Sequence, residues 1–146
     1  MSGNKLSFAF PKAERLCAVS AVEHLYKEGN TFLRHPLKIN FLRDTAPKEG
    51  DFLLPKVLFV VPKRSFKKSV ERNLIKRRMR EAYRLNKHLF LEATASDTAL
   101  CPLMYVSFFY VAKEILPYQA IEKKIVAAIT ILAEGTEAQY LKPKSK

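Results

Sequence analysis

Tryptophan is absent from this 146-residue chain, and glycine occurs only four times. Four scattered glycines leave no Gly-rich loop to cradle nucleotide phosphates. The two cysteines, Cys17 and Cys101, sit in apolar neighbourhoods at no metal-ligand spacing. They read as reduced, buried thiols rather than a disulfide framework. The three histidines, His24, His35 and His88, are scattered, and each reads as an ordinary residue of a helix surface, a turn or a helix end. The hydroxyls form no nucleophile elbow. Acids number 14 against 26 Lys and Arg, and only Asp44, Glu49 and Asp51 share a turn, where solvation is the plain reading and attraction of a cation the other. No such set builds a hydrolytic site, so no catalytic residue and no protein metal ligand is expected. Long apolar runs are missing too. The longest uncharged stretch, Thr98 to Ala112, is broken by Pro102 and is too short for a bilayer. The start of the chain carries Lys12, Glu14 and Arg15 without a sustained apolar run, unlike a secretory signal. The expectation is a soluble cytoplasmic protein with no membrane association.

What the chain has is positive charge, +12 in all, and it is concentrated. Lys63 to Lys87 holds eleven Lys and Arg against two acids, Glu71 and Glu81. No Pro or Gly interrupts from Ser69 to Cys101, so a helix can run from Ser69 to near Phe90. At the helical period Arg72, Asn73, Lys76, Arg77, Arg80, Arg84 and Lys87 fall in one arc. Leu74, Ile75, Met79, Ala82, Leu85 and Leu89 fall in the opposing arc. Arg78 lands among the apolar residues, either because only one side is covered or because its stem snorkels from the edge. Arg77 stands four residues before Glu81, the spacing of a helix-stabilising pair.

The rest of the chain reads as a small α+β domain. An extended lead-in reaches to about residue 16. A helix follows from Ser20, a capping-box start with Glu23, to Glu28, stopped by Gly29. Leu37, Ile39 and Phe41 alternate with Lys38 and Asn40 as a half-buried strand, with a short edge strand before Pro36. Asp44 to Asp51 is a turn. Lys56 to Val61 is apolar and β-branched, the composition of a central strand. Glu92 to Asp97 is a loop, and Leu103 to Val111 a second strong strand. A last helix runs from Pro117 to about Ala133, stopped by Gly135. The whole chain, 1–146, is expected to be one domain with residues 1–10 and 136–146 loosely ordered. Helices on one mixed sheet make a two-layer sandwich, and pattern alone favours a right-handed crossover.

Two surfaces suit RNA. A row of cations on a helix neutralises phosphates and releases counterions. Arginine forks add bidentate grip, and Asn73 can both donate and accept. Lys63, Arg64, Lys67 and Lys68 lead into this row. The second surface joins Val22 and Tyr26 of the first helix to Lys38 and Asn40 of the strand. An aromatic, a cation and an amide along a groove fit single-stranded RNA. Val22 and Tyr26 read equally well as ordinary core residues.

Residues 72–81 (RNLIKRRMRE) resemble the "RNR" helix of the bacterial ribonuclease P protein subunit, Arg-Asn-x-x-Lys-Arg-x-x-Arg-Glu. The match falls at Arg72, Asn73, Lys76, Arg77, Arg80 and Glu81. Arg15-Leu16, the helix closed by Gly29, Val60-Val61-Pro62-Lys63-Arg64, Arg80-Glu81-Ala82-Tyr83-Arg84 and the strand from Tyr105 to Val111 extend the likeness over nearly the whole chain. The resemblance implies a left-handed βαβ crossover around the basic helix. It implies a non-catalytic subunit whose partner, ribonuclease P RNA, removes the 5′ leader of precursor tRNA using Mg²⁺, with no protein partner. It carries Arg72, Asn73, Lys76, Arg77 and Arg80, with Arg84, Lys63, Arg64, Lys67 and Lys68 beside them, to the ribozyme RNA. It carries Val22 and Tyr26 to the precursor tRNA 5′ leader, where Lys38 and Asn40 of the second surface stand beside them. Four places depart from the pattern: Leu74 stands where Arg is frequent, Lys67 or Lys68 where Gly is frequent, Val22 where Phe is common, and Asn40 where Tyr can stand. The rivals are a generic structural RNA binder, a protein-only nuclease, which would need an acid or His/Lys constellation, and a helix-turn-helix DNA binder, which the flanking strands oppose.

Overall fold

Alternation along three strands decides how this chain folds. In the computed structural model, which describes residues 15–43, 55–90 and 103–134, β1 (Asn30–Arg34), β2 (Leu37–Arg43), β3 (Lys56–Val60) and β4 (Leu103–Tyr110) form one sheet. The strand order is β1-β2-β4-β3. β1 with β2 and β2 with β4 are antiparallel, whereas β3 runs parallel to β4. The sheet is therefore mixed, and the chain is α+β. Helices α1 (Val19–Glu28), α2 (Ser69–Asn86), which lies between β3 and β4 in the chain, and α3 (Tyr118–Glu134) join it.

One face of the sheet carries the main core. Register aligns Ile39 with Phe108 and Phe59, and Phe41 with Val106 and Val57. All six are buried. Ile75, Met79, Ala82 and Tyr83 of α2 and Ile121, Ile125, Ala128, Ile129 and Leu132 of α3 belong to the same cluster. Phe59 and Phe108 stack at 5.6 Å between centroids, and Tyr83 meets them at 6.0 and 6.1 Å. The two long helices are stitched at their polar margin by Asn86 Nδ2, which donates to Glu122 Oε2 at 3.2 Å. Tyr118 Oη donates to the same oxygen at 3.1 Å.

The opposite face meets α1. Leu16 N donates to Val57 O at 2.9 Å, so the chain enters beside β3. Tyr26 Oη and Ser107 Oγ are 2.8 Å apart on β4. Gly29 lies against β2, and β1 begins at Asn30. The helix thus crosses the sheet from β3 to β1. Leu25 is its buried residue, His24 packs edge-on to Tyr105 on one flank, and Val19, Val22 and Tyr26 line the other.

Several expectations change. The first helix starts at Val19 behind Ala18, with no side-chain cap, so Ser20 lies inside it. Lys56 to Val61 is the outermost strand of the sheet rather than a central one. Its apolar composition answers to cover by α2 on one face and to the Arg15–Val57 bridge along its free edge. Cys17 is exposed, because Leu16 takes the inward place of the alternation. Lys87 is fully buried rather than part of the cation row, while Tyr83 replaces Leu85 in the core. The acidic turn Asp44 to Asp51, the loop Glu92 to Asp97, Cys101, the stop at Gly135 and the terminal segments 1–10 and 136–146 lie outside the described residues.

Candidate nucleic-acid interface

α2 follows directly from a turn in which Ser65 N and Phe66 N both donate to Pro62 O at 3.2 Å. Buried Phe66 pins that turn to the core through Tyr110. Arg72 holds it from the helix side: Nη1 donates to Phe66 O at 2.8 Å and to Lys67 O at 2.9 Å. A guanidinium that closes a loop is positioned by it, so Lys63, Arg64, Lys67 and Lys68 stand exposed at the head of the helix. Further along, Asn73, Arg77 and Arg80 are exposed and Lys76 is half-buried. No ion pair among the described residues engages Lys76, Arg77 or Arg80.

Arg84 differs from these. It forms the ion pair with Glu81, at 2.6 Å through Nη2 and 3.0 Å through Nε. The hydrogen bond from Arg84 holds the Glu81 carboxyl below its ordinary 4.5, and Glu81 raises the Arg84 guanidinium in turn. The pair expected between Arg77 and Glu81 is therefore made by Arg84, three residues on, which leaves Arg77 outside it. Arg78 resolves as a snorkelling residue. Its stem runs beside the core and Nη1 donates to Leu116 O, tying α2 to the loop before α3.

Two further cations join this face. Arg15, brought in by the bridge to Val57, lines a pocket with Lys76 and Arg80, floored by Val57 and Phe59. Lys113, in the loop after β4, shares a second pocket with Arg64 and Ser65. Arg15 was visible in the sequence only through the family likeness. Lys113 had no signal there, because only the parallel pairing of β3 and β4 puts the two loops at the same end of the sheet.

On the other face, the flank of α1 and the open sheet form a cleft. Val22 is half-buried and Tyr26 exposed, so neither is an ordinary core residue. Lys38 is exposed on the floor. Asn40 is 7% exposed and forms part of that floor, its Oδ1 accepting from Thr31 Oγ1 at 2.6 Å. The sequence reading missed Val19, 73% exposed on the same flank, and Phe109. Phe109 pairs with Lys38 across β2 and β4 and with Val60 across β3. The signal for Phe109 was the alternation of β4: Phe108 faces the core, so its neighbour must face the cleft.

A cation-rich helix on one side and a cleft with apolar and basic lining on the other suit the class of polyanion-binding proteins. Comparison with known proteins narrows the class. The ribonuclease P family model matches residues 10–129. The ribonuclease P protein component of Porphyromonas gingivalis W83 is 27% identical over 136 residues, covering 93% of this chain and 95% of that one. That of Chlorobaculum tepidum is 34% identical over 97 residues, 66% of this chain and 63% of the relative. Among solved structures, the ribonuclease P protein of Staphylococcus aureus superposes with a TM-score of 0.60 at 16% identity, covering 83% of this chain and 96% of that one. The Thermotoga maritima protein gives 0.59 at 18%, covering 80% and 96%. The chain belongs to the ribonuclease P protein family, the protein components of the RNA-based endoribonuclease that matures tRNA 5′ ends.

Proposed function

We propose that the chain binds ribonuclease P RNA through the α2 face and the single-stranded 5′ leader of precursor tRNA through the cleft beside α1. The carrying observation is the row of Lys76, Arg77 and Arg80, outside any ion pair among the described residues and facing away from the core. Lys63, Arg64, Lys67 and Lys68 extend it at the helix head, and Asn73 supplies an amide among them. Arg72 acts mainly by fixing the turn that presents these groups, and Arg84 joins from its pair with Glu81. In the cleft Tyr26 and Val22 form the wall, Lys38 the phosphate contact and Asn40 the floor. The cations lower the repulsion between a polyanionic ribozyme and a polyanionic substrate. In this reading Mg²⁺ serves the RNA, because a cationic protein face repels a divalent cation. No helix among the described residues is long and apolar enough to cross a membrane, and a cytoplasmic site of action suits a tRNA-maturing subunit.

The test is the salt dependence of binding to ribonuclease P RNA. Replacing Arg77 and Arg80 by Ala lowers the slope of log K against log salt by roughly 0.7–0.9 for each phosphate no longer neutralised. An unchanged slope moves the ribozyme site off α2.

A further inference from the structure

Lys76 and Arg80 stand one helical turn apart on α2, and like charges at that spacing repel. Neither belongs to an ion pair among the described residues. Arg15 comes to the same place from the segment before α1. Its bridge to Val57, and the bond from Leu16 N to Val57 O at 2.9 Å, hold that segment along the outer edge of β3. The three side chains line one recess of about 180 Å³. No acidic side chain among the described residues lines it.

The floor of the recess is apolar. Val57, Leu58 and Phe59 form it, with Leu16 and Cys17 along one side. Phe59 is fixed from below, where its ring stacks on Phe108 and meets Tyr83 edge-on. Size and lining together select the occupant. The volume falls below the roughly 300–1,000 Å³ of pockets that enclose cofactors. A rim of cations alone suits the backbone of any RNA. A duplex keeps its bases stacked inside and offers phosphates and 2′-hydroxyls, so a duplex laid on this rim leaves the apolar floor to water. A nucleotide swung out of its strand covers the floor with its base and brings its phosphates to the rim.

We infer that this recess takes one unpaired, extruded nucleotide of ribonuclease P RNA, its base on Val57 and Phe59 and its phosphates among Arg15, Lys76 and Arg80. The inference rests on the α2 face being the ribozyme site. It adds the feature of the RNA that this end of the face grips, a bulged or loop nucleotide and not a helix. Val57, Leu58 and Phe59 offer no side-chain donor or acceptor, so the recess selects an unstacked base and not one base of the four.

The experiment uses the full chain and its cognate ribonuclease P RNA. Base-reactive chemical probing, with and without protein, finds the unpaired nucleotides that lose reactivity on binding, and each is then made abasic in turn. At one of them the abasic RNA is expected to bind about five- to tenfold more weakly, the low end for a stacked base. The salt slope stays the same there, because no phosphate is removed. Cys17→Trp fills the recess from its side without changing its charge. That variant should restore reactivity at the same nucleotide, keep the other protections, and bind the abasic RNA as tightly as the unaltered chain does. The abasic comparison itself needs no altered protein, so it decides the matter even where the indole disturbs the chain. If no unpaired nucleotide is protected, if every abasic RNA binds as well as the intact one, or if a folded Cys17→Trp chain still loses affinity to the abasic change, the base seat is overturned. The ribozyme face stands in those cases as long as Arg77→Ala with Arg80→Ala lowers the salt slope. If that pair leaves the slope unchanged, the RNA binds elsewhere and both readings fall.

Discussion

Arg72 and Arg77 sit five positions apart on one basic helix and have different roles. Arg72 spends its donors on the Phe66 and Lys67 carbonyls, whereas Arg77 is exposed and outside any ion pair among the described residues. Arg72→Ala should lower stability by about 1–2 kcal/mol, the range for a charged group's hydrogen bonds with part of it returned by water. Arg77→Ala should change it by less than about 0.5 kcal/mol. Urea unfolding of the two variants checks the contrast, and equal losses would refute it. Glu81 makes a pH prediction. Its carboxyl lies below 4.5 because Arg84 hydrogen-bonds to it, so the folded state holds the proton more weakly than the unfolded chain. The pair's contribution is therefore complete above 4.5 and is lost as pH falls through the lower folded value. An NMR titration should place the Glu81 midpoint below 4.5 and move it upward in Arg84→Ala. These pairings were not legible in the sequence. The period places Arg77 and Arg84 equally well beside Glu81, at i−4 and i+3, and rotamer packing chooses between them.

At the scale of elements, the junction of α1 with β1 is the tightest point. Gly29 ends the helix by donating to Leu25 O at 2.8 Å. A Cβ on it would stand 2.7 Å from Phe41 O and closer still to Leu25 O, both rigid backbone atoms. Gly29→Ala should cost more than about 1 kcal/mol and shift α1 on the sheet. Thermal unfolding measures the first effect, and a leader-binding defect with ribozyme affinity preserved reports the second. A variant as stable as the parent would show that α1 is not fixed by this contact. The elements themselves were largely legible, because helix and strand periods are local: α2, β2, β4 and α3 fall within a few residues of their expected ranges. Cap chemistry was less so. Ser20 and Glu23 have capping-box spacing, yet Leu16's bond to Val57 sets where the chain turns, and the helix begins one residue earlier. Position in the sheet was not legible for β3. An outer strand covered by α2 and by the Arg15 segment is as apolar as a central one.

At the scale of the whole molecule, the two surfaces proposed to meet RNA lie on opposite sides of one sheet. Ser107 and Phe108 are neighbours in sequence, yet one meets Tyr26 of α1 and the other meets Tyr83 of α2. The cation row and the cleft are thus held at fixed separation by a sheet whose core is shared. The basic helix was legible from charge and period alone, and the family likeness added its partner. The cleft was legible only in part. Val22, Tyr26, Lys38 and Asn40 were in view, but Phe109 and Val19 depend on which way α1 crosses the sheet, a long-range fact. The central claim is that this protein assists a catalytic RNA and does not cleave by itself. The most direct measurement is precursor tRNA cleavage at low Mg²⁺ with protein alone, ribonuclease P RNA alone, and both. The account predicts cleavage at the mature 5′ end only in the combined reaction. Cleavage by the protein alone, or no rescue of the RNA by a protein that still binds it, would contradict it.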